Sequence, residues 1–170
     1  MTIRLATPAD AEDIVAIYGP VVRDTPISFE FEPPTVEQIQ QRITESGERY
    51  PWIVDEVDGD LRGYAHASPH RHRAAYQWCA EVSVYVSSSY QRQGVARKLY
   101  RDLCGRLRDQ GFVNVYAGIA LPNPASVAMH AALGFESVGV YRRVGFKLGK
   151  WHDVGWWGLR LRETDDPTAD

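Results

Sequence analysis

Apolar positions along the chain follow two alternating periods, one suited to strands and one to helices. Residues 3–6 read as a short strand. Thr7 and Pro8 then supply an N-cap and a first helical residue. Ile14, Ile17, Tyr18, Val21 and Val22 follow at helical spacing, so this helix has one apolar face. A second helix opens after Thr35, which forms a capping-box pattern with Gln38. The apolar runs 51–57 and 61–68 flank Asp58-Gly59, a strong hairpin signal. Residues 79–86 read as a strand, and a helix runs from Gly94 to a stop at Gly111. A strand over 113–120 and a short helix over 123–134 come next, with final strands expected at 137–145 and 154–161. This alternation predicts one α/β domain over 1–162 and a disordered acidic tail over 163–170.

Composition narrows the field only modestly. A 170-residue chain fits one domain and buries roughly 70% of its unfolded surface. Apolar residues make up 44% and charged residues 24%, an ordinary globular balance. The net charge of −3 argues against a nucleic-acid binder, so an anionic ligand must be held by local charge and backbone. No apolar run reaches membrane-spanning length, and the N-terminus lacks a signal-peptide pattern. Cys79 and Cys104 cannot build a disulfide framework, which points to a reducing cytoplasm.

One stretch is built for an anion. Residues 82–100, VSVYVSSSYQRQGVARKLY, pass from a strand through a short polar loop into a helix opening at Gly94. A helix N-terminus offers unpaired N–H groups and partial positive charge, which suits phosphate. Gly94 lets a ligand approach the backbone, Ala96 keeps the next turn slim, and Arg92, Arg97 and Lys98 add charge. The pattern is neither a Walker loop nor a dinucleotide fingerprint. An ordinary turn with a solvated basic face fits the same residues.

Gln91-x-x-Gly94-x-Ala96 resembles the pyrophosphate loop of the GCN5-related N-acetyltransferases (GNAT). The ordered segments ERYPWIVDEVDG, AYQWCAEVSVYVS, LPNPASVAMHAALGF and GFKLGKWHDVGWW are similar to the phosphinothricin and methionine sulfone/sulfoximine acetyltransferase branch, from residue 3 to 161. The resemblance implies a mixed, strongly bent sheet of about seven strands flanked by about four helices, splayed to admit acetyl-CoA. It implies that the backbone of Val84, Tyr85 and Val86 pairs with the pantetheine arm. The N–H groups of Arg92, Gln93, Gly94, Val95, Ala96 and Arg97 would cradle the pyrophosphate, and Asn123 would contact the co-substrate from the other side. Ala96 stands where many relatives carry glycine.

For the chemistry, Glu81 lies mid-strand in an apolar run, where a carboxylate is costly unless paired or functional. Burial would tune it as a general base, acting directly or through water. A satisfied structural carboxylate is the alternative. His130 occupies the place, seven residues after Asn123, where many relatives carry a tyrosine that protonates the leaving thiolate. Imidazole titrates near neutrality and can donate that proton, although a packing histidine fits as well. Cys79 shares alternation parity with Glu81, but no base is placed to activate it. His66, His70 and His72 lack a placed carboxylate or thiolate partner, so a solvated loop is expected and no metal.

Arg71, Arg73 and Tyr76 precede the Glu81 strand, which in this fold puts them beside the acceptor pocket. Arginine grips carboxylate or phosphinate in bidentate fashion. A small amino acid or analogue is therefore the expected acceptor. Lys147 would add charge there. The resemblance also implies a homodimer whose late strands reach the neighbouring active site. Two alternatives stay open: acetylation of a protein N-terminus, lysine or polyamine, and an acyl-CoA-binding sensor without catalysis. Arg71 and Arg73 oppose the first, and the presence of both Glu81 and His130 opposes the second.

Overall fold

The computed structural model describes residues 2–168. Seven strands form one sheet: β1 (Thr2–Leu5), β2 (Trp52–Val57), β3 (Asp60–Pro69), β4 (Cys79–Val86), β5 (Asn114–Leu121), β6 (Glu136–Lys147) and β7 (Lys150–Arg160). Their spatial order is β1-β2-β3-β4-β5-β7-β6. Four α-helices cover it among the described residues: α1 (Ala11–Asp24), α2 (Val36–Ser46), α3 (Val95–Asp109) and α4 (Pro124–Ala132). The outer tip of the expected acidic tail, residues 169–170, lies outside the described residues. Before it, Asp166 accepts from the Thr168 backbone at 2.9 Å. No helix of the described residues is long and apolar enough to cross a membrane.

Local chemistry explains most boundaries. Thr35 accepts from the Gln38 backbone at 3.2 Å, and Gln38 returns the bond at 2.9 Å, so the capping box forms. Asp58 and Gly59 take positive φ of 52° and 90°, the conformation a tight hairpin between β2 and β3 requires. Thr7 and Pro8 start a 3-10 turn over Pro8–Asp10, and α1 proper begins only at Ala11. The expected strands at 137–145 and 154–161 run longer: β6 and β7 continue to a turn at Leu148 (φ 51°) and Gly149 (φ 75°). Cross-strand pairing carries Phe146 and Trp151 into the ladder where local composition reads as loop.

Two apolar layers hold the sheet. On one face Val95, Leu99, Tyr100, Leu103 and Leu107 of α3 pack against Ala65, Ala80, Val82, Val115 and Ala117. On the other, Ile14, Tyr18 and Val22 of α1 with Ile39 of α2 cover Trp52, Val54 and Tyr64. Burying the valine, leucine and isoleucine side chains among them stabilises by roughly 1.5–3 kcal/mol each.

The feature that makes a site is a failure of pairing. Among the described residues β4 and β5 are the sole parallel neighbours, joined only at Cys79–Asn114, Ala80–Val115 and Glu81–Tyr116. Beyond Glu81 they part, while β4 keeps its β3 partners up to Val86 and β5 keeps its β7 partners up to Leu121. Each strand follows its other neighbour, so a wedge opens between them.

Candidate active site

The apex of the wedge is a narrow hollow of about 60 Å³. Val82 to Tyr85 of β4 and Ala117 to Ala120 of β5 form its two sides, and Asn123, Ser126 and His130 of the α4 segment close it. The Asn123 side chain accepts from the Ser126 backbone at 3.1 Å, so it caps α4 as well as facing the hollow. Val84, Tyr85 and Val86 lie on the stretch of β4 that has no β5 partner.

The anion loop follows directly. Ser87 donates to the Arg62 carbonyl at 2.9 Å, and the Arg62 guanidinium lies 5.9 Å from the Tyr90 ring centroid. Arg62 is itself anchored on fully buried Asp55, at 2.8 and 2.6 Å. The turn into α3 needs left-handed backbone at Arg92 (φ 61°) and at Gly94 (φ 80°), the N-cap. A Cβ built on Gly94 would meet nothing within 4 Å, so the space before α3 stands open. A glycine cap gives no side-chain oxygen to the first-turn N–H groups of Val95, Ala96 and Arg97. They remain available to an anion.

Glu81 differs from expectation. Its side chain is 30% exposed rather than buried, because it stands on the face opposite the α3 core, at the point where β4 and β5 separate. His70 Nδ1 and Arg71 both lie 3.1 Å from its Oε1. His70 stacks on Tyr116 at 4.6 Å, Tyr76 meets His70 edge-on at 5.8 Å, and the Arg71 guanidinium lies 5.8 Å from the Trp156 centroid. Glu81 thus sits in an aromatic and cationic collar.

That collar reassigns several residues. Arg71 is engaged with Glu81, whereas Arg73 is exposed and holds its turn only through its carbonyl, which accepts from Tyr76 at 3.0 Å. The expected pair of arginines is therefore split. The loop read as solvated around His66, His70 and His72 leaves only His72 exposed. His66 lies in β3, stacked 4.3 Å from Trp52, and burial pulls its pKa down to about 4. Lys147 does not join the collar: it is buried and donates to the carbonyls of Val22 and Ser28, pinning the chain after α1. Among the described residues no group of three or more His, Cys, Asp or Glu side chains is placed to hold a metal. Burial raises the Cys79 thiol, which opposes an acyl-cysteine route.

His130 is 3% exposed, and burial lowers its pKa. Its Nδ1 lies 2.8 Å from the Ser126 carbonyl, and its Nε2 3.3 Å from the Tyr100 hydroxyl. Glu81 stands at the closed end of the wedge, in its last strand pair and with its side chain partly exposed, whereas His130 lines the hollow just beyond it.

Two larger hollows adjoin Tyr85. One of about 550 Å³ runs under α2, with His66, Ser83, Tyr18 and the Glu30–Arg42 ion pair on its walls. The other, about 400 Å³, is apolar and lined by Ile27, Phe29, Tyr141, Val144, Val154 and Trp156. Sequence reasoning missed Tyr116, Trp156 and Tyr100, and read His70 as part of a solvated loop. Parity along β4 groups Glu81, Ser83 and Tyr85, but their neighbours depend on strand register.

The sheet thus parts between two parallel strands, and the helix start at its rim leaves its first N–H groups without a side-chain cap. The chain matches the model of the acetyltransferase (GNAT) domain over residues 3–156. It is 41% identical to a phosphinothricin N-acetyltransferase of Streptomyces viridochromogenes, covering 91% of this chain and 85% of that one. It is 33% identical to an L-methionine sulfoximine/L-methionine sulfone acetyltransferase of Salmonella typhimurium, over 99% of both chains. A solved Salmonella typhimurium putative acetyltransferase with its cofactor acetyl-CoA superposes with a TM-score of 0.95 at 32% identity, covering 100% of this chain and 99% of that one. The chain belongs to the GNAT acetyltransferase family. It is an N-acetyltransferase.

Proposed function

We propose that this enzyme transfers acetyl from acetyl-CoA to the α-amino group of a small amino acid or analogue of the phosphinothricin or methionine sulfone/sulfoximine type. The observation that carries the proposal is the wedge itself, with Glu81 at the last strand pair and His130 in the hollow just beyond it. The free edge of Val84, Tyr85 and Val86 fits the pantetheine arm. The N–H groups of residues 92–97, backed by Arg92 and Arg97, fit the pyrophosphate. The open space at Gly94 supports that fit. Asn123 faces the same hollow.

Glu81 takes the proton of the attacking amine, directly or through water, and His130 supplies one to the departing thiolate. Arg71 and Tyr76 hold Glu81 and His70 where the strands begin to part, and Arg73 is left to meet the acceptor's carboxylate. The acceptor's tail fills the apolar hollow beside Trp156.

A homodimer follows from the same reading. β6 is an edge strand whose Val138, Val140, Tyr141, Val144 and Phe146 are exposed, and an apolar edge of that length calls for a second copy. Two free cysteines suit a reducing cytoplasm. One domain over 1–162 with a short acidic tail completes the picture.

Release of free thiol from acetyl-CoA, measured against phosphinothricin, methionine sulfone, methionine sulfoximine, spermidine, a lysine peptide and a simple alkylamine, tests the proposal. The amino-acid analogues should be the best acceptors. Preference for spermidine or the peptide, or thiol release independent of any amine, would overturn it.

A further inference from the structure

His130 presents its two nitrogens to different kinds of partner. The Ser126 carbonyl, 2.8 Å from Nδ1, can only accept, so Nδ1 carries the proton of the neutral ring. Nε2 is then bare and lies 3.3 Å from the Tyr100 hydroxyl. That hydroxyl enters from α3 and also lies 3.2 Å from the carbonyl of Val82. Val82 is the first residue of β4 beyond the last pair with β5, so the contact sits at the apex of the wedge. Both Tyr100 and His130 line the hollow.

One phenolic proton thus has two acceptors. While the imidazole is neutral, the hydroxyl donates to bare Nε2. Once Nε2 is protonated, the hydroxyl turns its proton to Val82 and offers a lone pair to Nε2–H. Both protonation states are then fully hydrogen-bonded, which a buried ring otherwise achieves in only one of them. Nothing else facing His130 does this. Phe135 meets it edge-on at 5.0 Å, and Ser126 belongs to its own helix turn. No carboxylate, guanidinium or ammonium group contacts it among the described residues. Behind Tyr100 the titratable neighbours are Cys104 and Tyr85, both pushed upward by burial and therefore neutral.

We propose that Tyr100 is a positioning residue for acetyl transfer, a hydroxyl rotor that lets the buried His130 give up and regain one proton without leaving a polar atom unpaired. This rests on the reading of His130 as the leaving group's proton donor. In the step concerned the amine nitrogen bonds to the acetyl carbon and the carbon–sulfur bond breaks. The amine's proton goes to Glu81 and on to water, sulfur takes the Nε2 proton, and water restores it. Tyr100 keeps its own proton throughout.

Tyr100→Phe removes the acceptor that serves protonated Nε2. The expected loss in kcat is about ten- to a hundredfold, the size of one hydrogen bond to a charged group. The basic limb of the kcat profile should move down by about one pH unit. The KM for the amino-acid acceptor should hold. His130→Phe, run beside it, should abolish that limb. If His130→Phe leaves kcat and its profile unaltered, the reading beneath the proposal fails and takes it along. If His130→Phe moves the limb and Tyr100→Phe does not, the rotor alone is overturned. Nitrogen-15 spectra of the wild-type protein add a test that needs no folded Tyr100 variant. The signal missing in His130→Phe should show the Nδ1–H tautomer, and an Nε2–H tautomer would overturn the proposal.

Discussion

Arg71 donates to Glu81 at 3.1 Å, so a residue expected to grip the acceptor and a residue expected to act as base form one ion pair. The pair is partly exposed, which limits its worth to stability to about 1 kcal/mol or less. Its value lies in orientation. Glu81→Gln should lower kcat by about a hundredfold or more. Arg71→Ala should cost less by itself and almost nothing further in the Glu81→Gln background. A kinetic double-mutant cycle reads this coupling directly; strictly additive losses would mean that Arg71 acts apart from Glu81.

Gly94→Glu places a side chain and a negative charge in the open space before α3, at a residue whose φ of 80° already disfavours any side chain. Acetyl-CoA affinity should collapse while the far-ultraviolet dichroism stays native. Calorimetric titration checks it, and wild-type affinity in the folded variant would move the pyrophosphate site elsewhere.

Phe29 reaches the apolar hollow across Gly145, where an added Cβ would come within 2.2 Å of the Phe29 ring. The ring is the far end of a side chain, so Gly145→Ala should displace it rather than unfold the strand. The KM for the acceptor should rise several-fold with the KM for acetyl-CoA unchanged. Equal rises in both would show that the hollow does not serve the acceptor.

His66 stays neutral in the folded chain down to about pH 4, whereas its free counterpart takes up a proton near 6.5. The unfolded state therefore binds the extra proton between those values, and acid favours unfolding. The full contribution, present above pH 6.5 and lost on falling to 4, is about 3 kcal/mol. Roughly 2 kcal/mol of it should vanish between pH 7 and pH 5 in guanidinium denaturation. His66→Phe should keep only the smaller dependence left by His130, whose pKa burial also lowers. An unchanged slope in that variant would place the titration elsewhere.

The sequence by itself determined what is local. Caps at Thr35, the Asp58-Gly59 turn, the glycine start of α3 and the apolar stripe of α3 are each set by residues within a few positions of one another. The ordered motifs also carried the family, and with it the wedge and the loop at Gly94. Tertiary structure alone decided which side chains meet. Glu81 finds His70 and Arg71 because the nine-residue excursion between β3 and β4 folds back onto β4, and it faces Tyr116 because β5 enters in one register. Lys147 reads as a surface cation until β6 carries it beneath the carbonyls of Val22 and Ser28, more than a hundred residues away. Tyr100 reads as one more apolar position on α3 until the parting of β4 and β5 leaves Val82 and His130 within reach of its hydroxyl. Hydrogen bonds to a ring nitrogen or a carboxylate depend on ångström-scale approach. Helical and strand periods fix which face a residue takes, but not what stands opposite it.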